Sequence, residues 1–92
     1  MENFEKVLVS RGERIVLQML EKQYQWIARD LNGSLYVYED KPSKSIDNAF
    51  WYSHDGSCEL CAFEHHFQFI QIENDEPWLI KDIINKCGVR FD

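Results

Sequence analysis

Basic side chains are scarce in this chain of 92 residues: ten Lys or Arg stand against sixteen Asp or Glu, a formal net charge of −6. Nucleic-acid phosphates are held by clustered basic side chains, so a balance of this sign argues against direct nucleic-acid binding. It permits the opposite, docking on a basic protein surface; the plainer alternative is that acidity only keeps a small protein soluble. Long apolar runs are missing too, and none approaches the roughly 18 residues that a membrane-crossing helix needs. The first ten residues are mixed and acidic at their start, so no secretory leader is expected and the setting is read as cytoplasmic. The glycines, at positions 12, 33, 56 and 88, are scattered, which excludes a Gly-rich phosphate loop. What remains is a globular composition, 45% hydrophobic and 28% charged, that fits a single domain over residues 1–92 with a thin core.

Cysteine is scarce as well, at three, but two of the three fall in Cys58-Glu59-Leu60-Cys61, followed at once by Glu64-His65-His66. Thiolate and imidazole are the donors that Zn²⁺ prefers, and a Cys-x-x-Cys pair can grip one tetrahedral ion. If the segment from 57 to 66 turns helically, Cys58, Cys61 and His65 share one face. A structural Zn²⁺ on Cys58, Cys61 and His65 is therefore expected, with Cys87 favoured as fourth ligand over His54 and His66. The competing reading is that the cysteines are small apolar residues and the histidines cap a strand end. A disulfide is the weaker rival, since cytosolic thiols stay reduced.

Catalytic patterns fail on order or spacing. A zinc deaminase places His-x-Glu ahead of Pro-Cys-x-x-Cys; here the cysteine pair comes first and no His-x-Glu occurs. Glu64-His65-His66 is not the His-Glu-x-x-His of zinc proteases. A Cys61 nucleophile polarised by His65 or His66 is conceivable, but two cysteines three apart favour metal or redox use. No catalysis is expected.

Along the chain, Ser10-Arg11-Gly12-Glu13 is a capping box. Ile15, Val16, Met19 and Leu20 follow as an apolar stripe, predicting a helix over 11–22. Two segments rich in aromatic and β-branched residues, 24–30 and 34–39, flank Asn32-Gly33, the pair that favours a tight hairpin turn. That two-residue turn sets Ala28 opposite Val37 and Ile27 opposite Tyr38. Pro42 ends the hairpin in a loop, 49–52 reads as a third strand, and 67–72 as a fourth, with Phe67 and Phe69 on one face and Ile70 and Ile72 on the other. The acids at 73–76 and Pro77 suit a helix start. Ile80, Ile83, Ile84 and Cys87 form its buried stripe, and Gly88 closes it. The expected class is α+β: a small antiparallel sheet of three to four strands packed against an N-terminal and a C-terminal helix, with a zinc knuckle.

Trp26, Tyr36, Tyr38, Phe50, Trp51, Tyr52 and Trp78 are too many rings for so thin a core. Exposed rings beside carboxylates make a protein-binding surface, where aromatic anchors carry most of the energy. Glu39, Asp40, Asp47, Glu73, Asp75 and Glu76 are the carboxylates placed at such a surface; taken singly, each also fits a solvated loop or helix start.

The segment 24–42, running Tyr-Gln-Trp-Ile-Ala-Arg-Asp-Leu-Asn-Gly to Lys41-Pro42, resembles a hairpin of small uncharacterised proteins of Gram-positive phages and prophages. The segment 67–80, Phe-Gln-Phe-Ile-Gln-Ile-Glu-Asn-Asp-Glu-Pro-Trp-Leu-Ile, is similar to a strand-and-helix signature of the same proteins. Together they span about a third of the chain. The cysteine and histidine cluster departs from that common pattern, so the metal is not carried over by it. Within this group the chain most resembles type II-A anti-CRISPR proteins, which include a zinc-containing member. That resemblance implies a partner in the host bacterial cytoplasm, the CRISPR effector nuclease, a large basic RNA-guided enzyme. It also implies inhibition by excluding target DNA without chemistry. The alternative is a zinc-stabilised phage module acting on another host protein. A monomer is favoured.

Overall fold

The computed structural model describes residues 4–90. A 3₁₀ turn at Phe4–Lys6 leads to β1 (Leu8–Val9) and α1 (Arg11–Leu20). β2 (Trp26–Arg29), β3 (Leu35–Tyr38), β4 (Ser43–Lys44), β5 (Trp51–Tyr52) and β6 (Ser57–Glu59) follow. A second 3₁₀ turn, Cys61–Phe63, precedes a long irregular stretch, then β7 (Trp78–Leu79), α2 (Ile80–Lys86) and β8 (Gly88–Val89). An antiparallel sheet of order β6-β3-β2-β7 forms the centre, β1 pairs with β8 in parallel, and β4 pairs with β5. The chain is α+β, with two helices and a four-stranded antiparallel sheet among the described residues. No described helix is long and apolar enough to cross a membrane.

The capping box forms as expected. Ser10 Oγ accepts from the Glu13 amide at 3.0 Å, and Glu13 Oε1 accepts from the Ser10 amide at 2.8 Å. The helix it starts ends at Leu20, and its buried side is Glu13 and Leu17. Ile15 and Met19, four apart, turn outward at 56% and 66% exposure, while Val16 and Leu20 flank the core. The expected stripe is therefore half right: the cap orients the helix so that position 17 points inward.

The hairpin is present, one residue out of the expected register. Ile27 pairs with Val37 and Ala28 with Tyr36. The loop holds three residues, not two: Gly33 N donates to Asp30 O and Asp30 N to Ser34 O, with Gly33 at φ 94°. This is the turn-plus-bulge solution, in which only the glycine adopts positive φ. Apolar pairing selects it, because Ile27, Leu35 and Val37 now share one face, beneath α1 and α2. Ala28 and Tyr38 point to the other face and form a second small core with Trp51 and Ile72, flanked by Trp26 and Tyr36. The third strand is realised as β5, but its partner is β4, in a region expected to be loop.

No strand forms over 67–72. Phe67 takes φ 57°, which interrupts an extended chain. Phe67 and Ile70 both enter the main core, whereas strand alternation would set them on opposite faces. Three charged side chains fasten the stretch instead. Arg29 donates to five carbonyls: Nε to Ile70 at 2.8 Å, one terminal nitrogen to Gly33 and Glu64 at 2.9 and 2.8 Å, and the other to His66 and Phe67 at 2.7 and 3.2 Å. Lys44 Nζ donates to Ile72 and Asn74 at 2.6 Å each. Glu13 Oε2 accepts from the Phe67 amide at 3.0 Å.

The last helix starts later than expected. Trp78 and Leu79 extend the sheet against β2, and the helix runs from Ile80 with Ile80, Ile83 and Ile84 buried. Gly88 does not close it in a left-handed cap. It pairs with Leu8, and a Cβ there would stand 2.7 Å from Leu8 Cδ2, the end of a half-exposed side chain that would have to turn aside.

Arg29→Lys keeps the charge but cannot span five carbonyls. It is expected to cost about 2 kcal/mol. Urea unfolding measures this, and an unchanged midpoint would contradict the clamp.

Candidate functional site

The spacing that suggested a metal site does not converge. Cys58 lies in β6 and Cys61 begins the 3₁₀ turn, so the expected helical face over 57–66 is absent. Cys58 pairs with Val37 and shares its side of the sheet, against Tyr24, where burial and then the neighbouring thiol raise the tyrosine pKa. Cys61 turns to the other side and hydrogen-bonds Glu59; that bond, then the Glu59 charge, raises the Cys61 pKa. Cys87 packs in the main core, and burial, then Asp82, pushes its thiol up to about 11. His54 and His65 are exposed. Among the described residues no group of three or more His, Cys, Asp or Glu side chains is placed to hold a metal ion. Zinc needs thiolate and imidazole donors converging on one point, and in this arrangement Cys58, Cys61, His65 and Cys87 are not brought together.

His66 is engaged elsewhere. Its Nδ1 lies 3.2 Å from Glu13 Oε2, and Arg90 reaches Glu13 Oε1 at 3.3 Å. Burial raises the Glu13 pKa. The Ser10 and Phe67 amides, His66 and Arg90 outweigh that effect and leave it below 4.5. This residue was visible in the sequence only as a capping partner; its role in holding the 67 region was not.

The acids divide into three places. Glu39 and Asp40 are exposed at the end of β3, beside Asp55; the Asp55 hydrogen bond, then its charge, raises the Asp40 pKa. Asp47 folds into its own loop, accepting from Ser45 Oγ at 2.7 Å and the Ala49 amide at 3.2 Å, which lowers its pKa. Glu73, Asp75 and Glu76 sit before β7 and are exposed; Glu76 pairs with Lys41 at 3.0 Å. Glu73 and His65 line an open, polar depression of about 560 Å³ with Arg29, Gln68 and Gln71. Between Lys44 and Lys81 the sequence carries seven Asp or Glu and no Lys or Arg.

The rings separate cleanly. Trp51 and Trp78 are buried and Trp26 is half-buried, whereas Phe50 and Tyr52 stand outward from β5, centroids 6.2 Å apart, at 46% and 47% exposure. Ile46 and Leu31 are exposed near them, and the Leu31 amide bonds to Ala49 O at 2.8 Å. Leu31 and Ile46 were missed by sequence reading, because an isolated apolar residue in a polar loop gives no periodic signal.

No protein-family model, no curated protein and no solved structure matches this chain.

Two outcomes follow. Titration with Co²⁺ at pH 7 is expected to give no thiolate charge-transfer band; a saturable band at one equivalent would show that these loops rearrange into a tetrahedral site. Stability is expected to be full above the ordinary Glu13 value of 4.5 and to fall as acid passes through the lower folded value. Glu13→Gln should flatten that acid limb and cost about 1–3 kcal/mol at neutral pH; a superimposable pH profile would contradict the role given to Glu13.

Proposed function

We propose that this chain is a docking module without chemistry of its own, which engages a basic protein surface through the outer side of the β4–β5 hairpin and the acids around it. One observation carries the reading. A 36-residue stretch, from 45 to 80, has seven Asp or Glu and no Lys or Arg, and it presents Phe50 and Tyr52 to solvent. The acids steer a basic partner and select against acidic ones. The rings supply the desolvated contact that charge alone does not, since exposed ion pairs contribute little net affinity.

The resemblance of 24–42 and 67–80 to phage proteins names the first partner to try, the type II-A RNA-guided nuclease. Its nucleic-acid channel is basic, and a net charge of −6 is suited to occupying it in place of target DNA. A structural zinc is not part of this reading.

The test is capture of the purified nuclease on immobilised protein, followed by competition with target DNA. Binding that weakens roughly tenfold from 0.1 to 0.5 M salt, and that is reduced at least as much by Phe50→Ala with Tyr52→Ala, is the expected result. No capture would remove the nuclease as partner. Salt-independent capture, or capture indifferent to both rings, would overturn the proposed surface.

A further inference from the structure

The central sheet has two edges of different character. β7 is two residues long, flanked by buried Pro77 and by α2, and Trp78 packs against Phe4 and Phe69 at 5.4 and 4.9 Å between ring centroids. β6 is exposed at all three residues and, among the described residues, pairs with β3 alone. Its ladder extends to Gly56 and Leu60, because the Glu39 amide bonds to Gly56 O at 3.0 Å and the Leu60 amide to Leu35 O at 2.8 Å. Bonded and non-bonded pairs alternate in an antiparallel ladder. Cys58 therefore exchanges its bonds with Val37, and the N–H and C=O groups of Ser57 and Glu59 face away from the sheet. Two donors and two acceptors stand in strand geometry on this edge; of these, Glu59 O also takes a long contact from Cys58 Sγ at 3.7 Å, which an added strand would have to displace.

Open edges invite pairing, and charge decides with what. The chain around this edge carries Asp55, Glu59 and Glu64, with Glu39 and Asp40 alongside at the end of β3, and no Lys or Arg between 45 and 80. A second copy of so acidic a chain is repelled; a basic strand is attracted. The two sides of β6 differ as well. Glu59 accepts from Tyr36 Oη at 3.2 Å on one side, while Cys58 lies with Val37 and Tyr24 on the other.

We infer that the β6 edge is a strand-addition site for an extended basic segment of a partner protein, with basic residues on the Glu59 side flanking an apolar residue opposite Cys58. This rests on the docking reading above and adds where and in what conformation the partner is held. Backbone bonds supply attachment, and alternate side chains supply selectivity.

The probe is an end-blocked eight-residue peptide alternating lysine and valine. Its control has the same sequence and charge but a methyl group on the backbone nitrogen of every lysine, which removes the donors that would face Ser57 and Glu59. Saturating lysine–valine peptide should slow amide exchange at Ser57 and Glu59 roughly tenfold by NMR, and the N-methylated control should not. Ser57→Pro removes one outward donor without touching the Cys58–Val37 bonds, and should weaken peptide binding several-fold with the fold intact. Glu59→Lys should weaken it at least as much. Shifts confined to Phe50 and Tyr52, with exchange at 57 and 59 unchanged, would overturn the edge site while leaving the docking surface standing. No response to either peptide would overturn both. Protection that grows with protein concentration in the absence of peptide would assign the edge to a second copy and overturn the inference.

Discussion

The Arg29 guanidinium organises this fold. It projects from the sheet and collects the carbonyls of Gly33, Glu64, His66, Phe67 and Ile70, and burial lowers its pKa against the opposing influence of Glu64. Those carbonyls belong to segments that have no ladder of their own, and a backbone carbonyl left unpaired on folding is costly. Holding each residue of an irregular segment costs roughly 1–2 kcal/mol of backbone entropy. A hydrogen bond to a charged group returns about 1.5–3 kcal/mol. Arg29 alone therefore cannot order the stretch from 60 to 77. Burial of Phe67 and Ile70, at about 1.5–3 kcal/mol each, together with Lys44 and Glu13, supplies the rest.

The clamp explains why both faces of the sheet are covered in so short a chain. On one face, α1 and α2 pack over Ile27, Leu35 and Val37. On the other, Trp51 and Ile72 close over Ala28 and Tyr38, and Ile72 is brought there by the segment that Arg29 and Lys44 hold. With Trp51 turned inward, its neighbours Phe50 and Tyr52 turn outward by strand alternation. The proposed binding rings are thus a consequence of how the second core is filled, and the acid-rich loops around them follow the same path.

Much of the architecture was legible because its signals are local. Ser10 and Glu13 announced a helix start, Asn32-Gly33 a hairpin, and Ile80, Ile83 and Ile84 a buried helical side. The register was not legible, because a two-residue and a three-residue loop both suit Asn32-Gly33, and the choice is made across the sheet by Ile27 meeting Val37. Residues 67–72 imitate a strand through Phe67, Phe69, Ile70 and Ile72, yet their carbonyls go to side chains far away in sequence. The same limit applies to the candidate site. Cys58, Cys61 and His65 have ligand spacing, but a strand followed by a tight turn sends the two thiols to opposite sides. Spacing predicts convergence only when the intervening backbone is known.

The clamp itself is open to direct observation by NMR of the arginine side chains. The account predicts a slowly exchanging Arg29 Nε–H with a scalar coupling across its hydrogen bond to the Ile70 carbonyl carbon. An Arg29 Nε–H exchanging at the rate of a fully solvated guanidinium, with no such coupling, would contradict it.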